Sequence, residues 1–317
     1  MARFEDLSVG RLNVGSIVGG NGVSAWRNVY YLSGTGSDGN DGLSFASPMK
    51  TLSAAYNKLE TGKKDLIVFE ESTASISLAA GQTWSKNLGG LVGTSSNKTY
   101  QRSRISHSAN FATLLTVSGY GNVFSNFRIM HGRGHADNVT GVSITGPGNS
   151  FYNVNVAGPL HATEGAVAGY ATVRIGAEEQ YFNGCVFGAD SATRGAGTII
   201  DFVASTTPRC IFENCLFYMN ASANAAFFIK CNAGLGEGFA VFNNCKFINT
   251  GTTLTYGIDG TGLGNFQILL DATTTFYGCT DIVAAASEAS VISGVGSSAT
   301  PAEDVSWHLA LPVDHTA

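Results

Sequence analysis

The chain has 317 residues, of which 13% are charged and 40 are glycine, and its formal net charge is −5 at pH 7. The scarcity of charge, together with 19 phenylalanines and 11 tyrosines, excludes a disordered chain, which would be rich in charge and poor in aromatic residues. The negative charge provides no electrostatic footprint for nucleic acid, and no stretch approaches the roughly 20 apolar residues of a membrane helix. We therefore expect a well-packed protein with many tight turns and without nucleic acid or membrane partners.

Residues 1–27 differ from the rest of the chain because glycines are mixed with isolated aliphatic residues, without a helical or strand period. Two interpretations stay open: an extended arm that becomes ordered on a partner surface, or a frayed terminus. The arm interpretation assigns docking to six apolar residues. They are Phe4, Leu7, Val9, Leu12, Val14 and Ile17. The acidic start of the chain does not resemble a secretory signal.

The next segment predicts a strand, a loop and a short helix. The strand is Val29–Leu32, and loop 33–42 carries only two acids, wrongly spaced for an EF-hand calcium site. Ser47 and Pro48 predict the start of a helix near residues 48–60, because Ser caps free amides and Pro suits the first helical position. One face of this helix is apolar, with Leu52, Ala55, Tyr56 and Leu59. A further strand is predicted at Asp65–Phe69.

A short motif then recurs six times: Phe, any residue, Asn or Gly, and an apolar residue or Cys. The first positions are Phe124, Phe151, Phe182, Phe212, Phe242 and Phe276. From Asn126, the steps between third positions are 27, 31, 30, 30 and 34 residues. Such a period, with short strands and no amphipathic helices, predicts the coils of a parallel β-helix.

Each motif position has a physical interpretation. The Phe rings are predicted to point inward and to stack between coils about 4.8 Å apart. The third position must bend the chain in a left-handed conformation, which Gly and Asn tolerate best. The asparagines at this position are Asn126, Asn153, Asn214 and Asn244.

Cysteine occupies the fourth position in four repeats, where the earlier repeats have Phe127 and Val154. These cysteines are Cys185, Cys215, Cys245 and Cys279. A position that alternates between Cys, Phe and Val is typical of a buried hydrophobic residue. The cysteines lack the CxxC spacing of zinc sites, so we do not expect a zinc site. We predict buried free thiols, as in a cytoplasm, with disulfides or a metal as the alternative. No cofactor is predicted.

A first strand is predicted before each motif, on the opposite side of a turn. These strands are Thr113–Val117, Gly141–Thr145, Thr172–Ile175, Thr198–Val203, Phe227–Cys231 and Phe266–Leu270. Three outward positions of successive first strands carry Arg174, Asp201 and Lys230, whose charges alternate. We interpret them as surface ion pairs worth roughly 0–1 kcal/mol each.

The Phe, Asn and Cys ladders and the segment from Val29 to Leu52 resemble the right-handed parallel β-helix of pectate lyases and phage tail spikes. The resemblance implies an all-β solenoid over residues 28–290, with a capping helix over its open end. Residues 291–317 would form a C-terminal cap or tail. The resemblance to phage β-helices, which are commonly homotrimers, implies a homotrimer here.

Enzymes that resemble this chain in fold use carboxylates, or an Arg with acidic calcium ligands, along an exposed strand face. A glycosidase needs two carboxyls about 5–9.5 Å apart. The repeats provide few acids, and the best catalytic candidates are Asp190 with Asp201 or Glu213. The polar run from His131 to Asp137 could bind a metal if it were helical. It lies in a Gly-rich segment, so we interpret it as a solvated loop.

We therefore predict a non-enzymatic bacteriophage virion protein, a head decoration or cement protein or a fibre-like protein. Its arm would dock on the major capsid protein or another virion protein. The protein would be located in the virion, which is assembled in the host cytoplasm. The alternative is a tail spike or another polysaccharide hydrolase or lyase that recognises host surface glycan. A bacterial adhesin is a third interpretation.

Overall fold

The computed structural model describes residues 26–72, 74–95, 97–203 and 206–283, together with the backbone of residues 291–294. The helices within this part of the chain are α1 (Leu52–Lys58) and α2 (Ala162–Gly165). The strands are β1 (Val29–Leu32), β2 (Leu66–Phe69), β3 (Ile76–Leu78), β4 (Gln82–Trp84), β5 (Gly90–Gly93), β6 (Arg104–His107), β7 (Thr113–Val117), β8 (Val123–Ser125), β9 (Arg128–Met130), β10 (Thr140–Ile144), β11 (Ser150–Tyr152), β12 (Asn155–Ala157), β13 (Ala171–Ile175), β14 (Gln180–Asn183), β15 (Val186–Phe202), β16 (Arg209–Glu213), β17 (Leu216–Cys231), β18 (Gly238–Asn243), β19 (Lys246–Asn249), β20 (Leu254–Asp259), β21 (Phe266–Asp271), β22 (Thr275–Tyr277), β23 (Cys279–Val283) and β24 (Val291–Gly294). The six apolar residues of the predicted arm lie outside the described residues, as do residues 295–317 of the predicted cap.

Parallel strands wind around one core and give each coil three faces. Face 1 is a ten-stranded sheet in the order β1, β2, β5, β8, β11, β14, β16, β18, β21, β24. Face 2 contains β3, β6, β9, β12, the first parts of β15 and β17, β19 and β22. Face 3 contains β4, β7, β10, β13, the last parts of β15 and β17, β20 and β23. The predicted parallel β-helix is confirmed.

The bend between faces 1 and 2 is made by one left-handed residue in each regular coil. The φ angles of Asn126, Asn153, Asn214 and Asn244 are 60°, 51°, 55° and 50°, and that of Gly184 is 65°. Asn153 Nδ2 donates to Asn126 Oδ1 at 3.0 Å, and Asn244 Nδ2 donates to Asn214 Oδ1 at 2.8 Å. The predicted left-handed bend is therefore confirmed, and its amides also bond between coils.

Five of the six predicted Phe residues form one buried stack on face 1. Its members, whose successive ring centroids are 4.6 to 4.9 Å apart, are Phe124, Phe151, Phe182, Phe212 and Phe242. The prediction for Phe276 is wrong. Leu270 aligns with Phe242 on face 1, whereas Phe276 aligns with Phe247 on face 2, where their centroids are 4.1 Å apart.

The last coil is out of step with the motif. The predicted first strand Phe266–Leu270 lies within β21 on face 1, and β20 occupies face 3 in its place. The Phe276 motif consequently falls one corner later, as its longer step of 34 residues indicates. The same shift makes the prediction for Cys279 wrong, because this residue pairs with Leu254 on face 3 and is only partly buried.

Where Cys or Thr follows the bend, its side chain contacts a Phe carbonyl of the preceding coil. Cys185 Sγ lies 3.4 Å from Phe151 O, and Cys245 Sγ lies 3.5 Å from Phe212 O. In the last coil Thr274 takes this position, and its hydroxyl donates to Phe242 O at 2.9 Å. All six cysteines are free thiols, and Cys185, Cys215 and Cys245 are buried.

Helix α1 covers the open end of the first coils but begins later than predicted. A backbone bridge between Met49 and Leu32 keeps residue 49 extended, so the N-cap is Thr51 and not Ser47. Asp38 fixes this cap, because its Oδ1 accepts the N–H groups of Lys50 and Thr51 at 2.9 and 2.8 Å. No helix of the described part of the chain is long and apolar enough to cross a membrane.

Two segments outside the regular coils are bonded to the solenoid: the residues before β1 and a strap between β5 and β6. Arg27, which the prediction assigned to the arm, donates through Nε and Nη2 to the buried carboxylate of Asp65 at 3.1 Å each. Residues 97–103 form a strap that crosses several coils at the bend. Lys98 Nζ donates to Asn214 O at 3.1 Å, and Asn155 Nδ2 donates to Thr99 O at 3.1 Å.

Candidate functional site

The outward row of charges lies on face 3 as predicted, but of the predicted ion pairs the described residues form Arg174–Asp201 and none that involves Lys230. Arg174, Asp201 and Lys230 are register partners in successive coils, and Asp259 extends the row. Arg174 Nε donates to Asp201 Oδ2 at 3.0 Å, and Asn232 Nδ2 donates to Asp201 Oδ1 at 2.5 Å. Both oxygens of Asp201 are therefore engaged in contacts between coils.

The other catalytic candidates lie elsewhere. Glu213 is on face 1, where its Oε2 accepts the hydroxyl of Tyr181 at 2.5 Å and Nδ2 of Asn183 at 3.1 Å. Asp190 is exposed on β15, between the parts of this strand that belong to faces 2 and 3. The structure thus separates Asp190, Asp201 and Glu213 and brings no two of them together.

The corner between faces 2 and 3 holds an arrangement that the sequence did not predict. The N–H groups of Arg133, Gly134 and His135 donate to Oε1 of Glu164 at 2.6, 2.8 and 3.1 Å, and Asn138 Nδ2 adds a fourth bond at 3.1 Å. Glu164 comes from α2 and its side chain is fully buried. The interpretation of residues 131–137 as a solvated loop holds for Arg133, His135, Ala136 and Asp137, which are exposed, but not for His131, which is buried. The sequence did not predict that the backbone of this loop encloses a carboxylate.

A column of buried polar side chains continues from this loop. The rings of His107 and His131 stack with centroids 5.2 Å apart, and His131 Nδ1 lies 3.0 Å from the Tyr170 hydroxyl. The guanidinium of Arg194 lies 5.0 Å from the Tyr170 ring. Arg194 also donates to Thr198 O at 2.7 Å and to Gly158 O at 2.9 Å. We call His107, His131, Glu164, Tyr170 and Arg194 the polar corner.

Burial sets the protonation of the polar corner. It lowers the pKa of His131 to about 3 and that of Arg194 to about 10, so at pH 7 the imidazole is neutral and the guanidinium charged. Burial raises the pKa of Tyr170. Burial alone would raise the pKa of Glu164, but the donors of the loop reverse this effect and hold it below its usual value. The cluster fixes loops and presents no acid or base at the surface.

A repeated tetrapeptide could have revealed part of this corner. Arg104, Ile105 and His107 recur 24 residues later as Arg128, Ile129 and His131, and the two segments are register partners on face 2. Glu164 had no comparable signal, because α2 occurs in one coil. Within the described residues no three His, Cys, Asp or Glu side chains are grouped so that they could hold a metal ion.

Comparison with known proteins adds the fold. No family model matches the chain, and no curated protein matches it. The pectate lyase Pel9A has a TM-score of 0.52 at 14% identity, covering 86% of this chain and 79% of its own. The pectin methylesterase from Aspergillus niger has a TM-score of 0.54 at 12% identity, covering 87% and 93%. ORF18 of Geobacillus virus E2 has a TM-score of 0.39 at 13% identity, covering 77% and 58%. The chain therefore has the right-handed parallel β-helix fold that the pectate lyase and the pectin methylesterase share.

Proposed function

We propose that the chain is a non-catalytic structural protein of a bacteriophage particle, a decoration, cement or fibre-like protein built on a β-helical rod. The observation that carries this proposal is the use of outward carboxylates to join coils. Asp201 is bonded to Arg174 and Asn232, and Glu213 is bonded to Tyr181 and Asn183. These acids act as structural acceptors on two different faces, whereas glycoside hydrolysis needs a facing pair about 5–9.5 Å apart.

Docking is assigned to the N-terminal arm, with the major capsid protein or another virion protein as the partner. The apolar residues of the arm, such as Leu12 and Ile17, would be buried against that partner. We further propose that three copies associate side by side, and that assembly takes place in the reducing cytoplasm of the host. The free cysteines support this compartment.

Co-sedimentation with purified particles tests the docking role. The matched variant lacks residues 1–25, because Arg27 is bonded to Asp65 and must remain. We expect the full chain to sediment with particles and the shortened chain to stay in solution with an unchanged circular dichroism spectrum. Equal binding by both proteins would exclude the arm as the anchor, and no binding by either would exclude the particle role.

The second candidate is a polysaccharide-acting enzyme, which the names of the similar structures support: a pectate lyase and a pectin methylesterase. Asp190 is the exposed acid that would act in such an enzyme. Incubation with host capsular polysaccharide, followed by assays for new reducing and unsaturated ends, separates the two candidates. Release of oligosaccharides by the wild type but not by Asp190→Asn would establish the enzyme in place of the structural protein.

A further inference from the structure

Two arginines lie side by side on the outside of face 2. Arg104 and Arg128 are register partners in adjacent strands β6 and β9. The next residues of the two strands, Ile105 and Ile129, are also register partners and are buried in the core. Parallel register places the two arginine backbones about 4.8 Å apart. Like charges directly opposite each other repel, and the charge of Arg104 lowers the pKa of Arg128.

Arg128 differs from the paired arginines of the molecule. Arg27 and Arg174 bind carboxylates, and Arg209 binds Glu178. Arg128 is half-buried, its Nε is buried without a hydrogen-bond acceptor, and it has no ion pair within the described residues. A charge removed from water without an acceptor or a counterion is costly to the folded state.

The groups near Arg128 are tyrosine hydroxyls, which can form hydrogen bonds but carry no negative charge at pH 7. Burial lowers the pKa of Arg128, and the charge of Arg104 lowers it further, against opposing effects of Tyr218 and Tyr100. Tyr218 is half-buried on β17, and Tyr100 is 59% exposed on the strap. The strap is fixed across this face by the bond from Asn155 to Thr99. Two phenols thus lie near a guanidinium that has no ion-pair partner within the described residues.

We propose that Arg128, beside Arg104, is a binding site on face 2 for a carboxylate or sulfate group. A guanidinium can hold either group through two parallel N–H···O bonds. The anion would also offset the repulsion between the two arginines, and the partial burial strengthens this attraction relative to open water. The group could belong to an inorganic ion or to an acidic sugar. The site does not depend on the proposed particle role.

Titration calorimetry of the full chain tests the site with three probes: sodium sulfate, a trimer of galacturonate and the uncharged maltotriose. We expect saturable binding of at least one anion and none of maltotriose. Arg128→Gln should weaken anion binding at least about tenfold, the usual scale for a lost charge-assisted bond. The control Arg209→Gln removes the same charge from face 1 and should change binding by less than about twofold.

The results distinguish the source of the anion. Tighter binding of the trimer than of sulfate assigns the site to an acidic sugar, and equal binding assigns it to the oxyanion group alone. Failure of both anions to bind, or equal binding by wild type and Arg128→Gln, would overturn the proposal. If Arg128→Gln does not fold, Arg128→Lys provides the test, because it keeps the charge but loses the two-bond geometry.

A thermal measurement gives an independent readout. A ligand that binds only the folded state raises its melting temperature. Sulfate should therefore raise the melting temperature of the wild type above that in sodium chloride of equal ionic strength, and this difference should disappear in Arg128→Lys. An equal rise in both proteins would contradict a specific site.

Discussion

Two of the three corners of the coil are built in opposite ways. The bend between faces 1 and 2 repeats one left-handed residue in each regular coil. Asparagines at this position donate side-chain hydrogen bonds to the equivalent asparagines of the adjacent coil. The polar corner between faces 2 and 3 repeats only its stacked histidines, and Glu164, which has no counterpart in other coils, holds four donors of the preceding loop. Repetition keeps the effect of a substitution local, whereas a single-copy cluster transmits it to several coils.

The largest effect is expected at Glu164. Glu164→Leu would leave the N–H groups of residues 133–135 without their acceptor, and we expect the free energy of unfolding to fall by about 2–4 kcal/mol. Urea denaturation monitored by circular dichroism measures the change. Glu164→Gln keeps an acceptor oxygen and should lose less than Glu164→Leu. Equal losses in the two variants would mean that side-chain shape, and not hydrogen bonding, stabilises the loop.

Acid should weaken the polar corner through His131. Its folded pKa of about 3 lies below the unfolded value of about 6.5, so between these values the unfolded chain binds a proton that the folded protein does not. Stability therefore falls as the pH decreases through this window, by up to about 1.4 kcal/mol per pH unit.

Unfolding measured from pH 6.5 to 5.5 checks this effect well above the ordinary pKa of a glutamate. His131→Gln should reduce the slope of stability against pH. A smaller slope should remain in this variant, because burial also lowers the pKa of His107. An unchanged slope in His131→Gln would show that the acid sensitivity arises elsewhere.

A smaller effect is expected at the repeated bend. Asn214 has a φ of 55°, a conformation that costs a residue with an ordinary Cβ roughly 1–2 kcal/mol. Asn214→Ala should lose about this much stability in urea denaturation, while Asn214→Gly should lose less because glycine tolerates the angle. If alanine and glycine are equivalent at this position, the bend is held by packing and not by the preference of its residue.

The smallest effect is expected just after the bend. Thr274 already replaces cysteine at this position in the last coil and donates to Phe242 O. Cys245→Thr should therefore change the free energy of unfolding by less than about 1.5 kcal/mol. Cys245→Phe provides the contrast, because added volume in a packed core costs about 1–3 kcal/mol. A larger loss from threonine than from phenylalanine would show that this position rejects a hydroxyl.

What repeats could be predicted from the sequence. The stack from Phe124 to Phe242 and the bend asparagines followed from the period and from the conformational preference of Asn and Gly. Phe276 and Cys279 were misassigned because the same four-residue pattern fits the following corner, one face away. Glu164 could not be predicted, because its partners are 26 to 31 residues distant and neither the helix nor the loop recurs.

The strap imposes an order on assembly. Lys98 bonds to the carbonyl of Asn214, 116 residues along the chain, so this contact closes a long loop whose entropic cost must already be met by the coils in between. In a chain that is synthesised from its N-terminus, the bond between Thr99 and Asn155 can form first, whereas Lys98 must wait until the coil of Asn214 has been added. The Lys98 contact therefore forms only when the middle of the solenoid is complete.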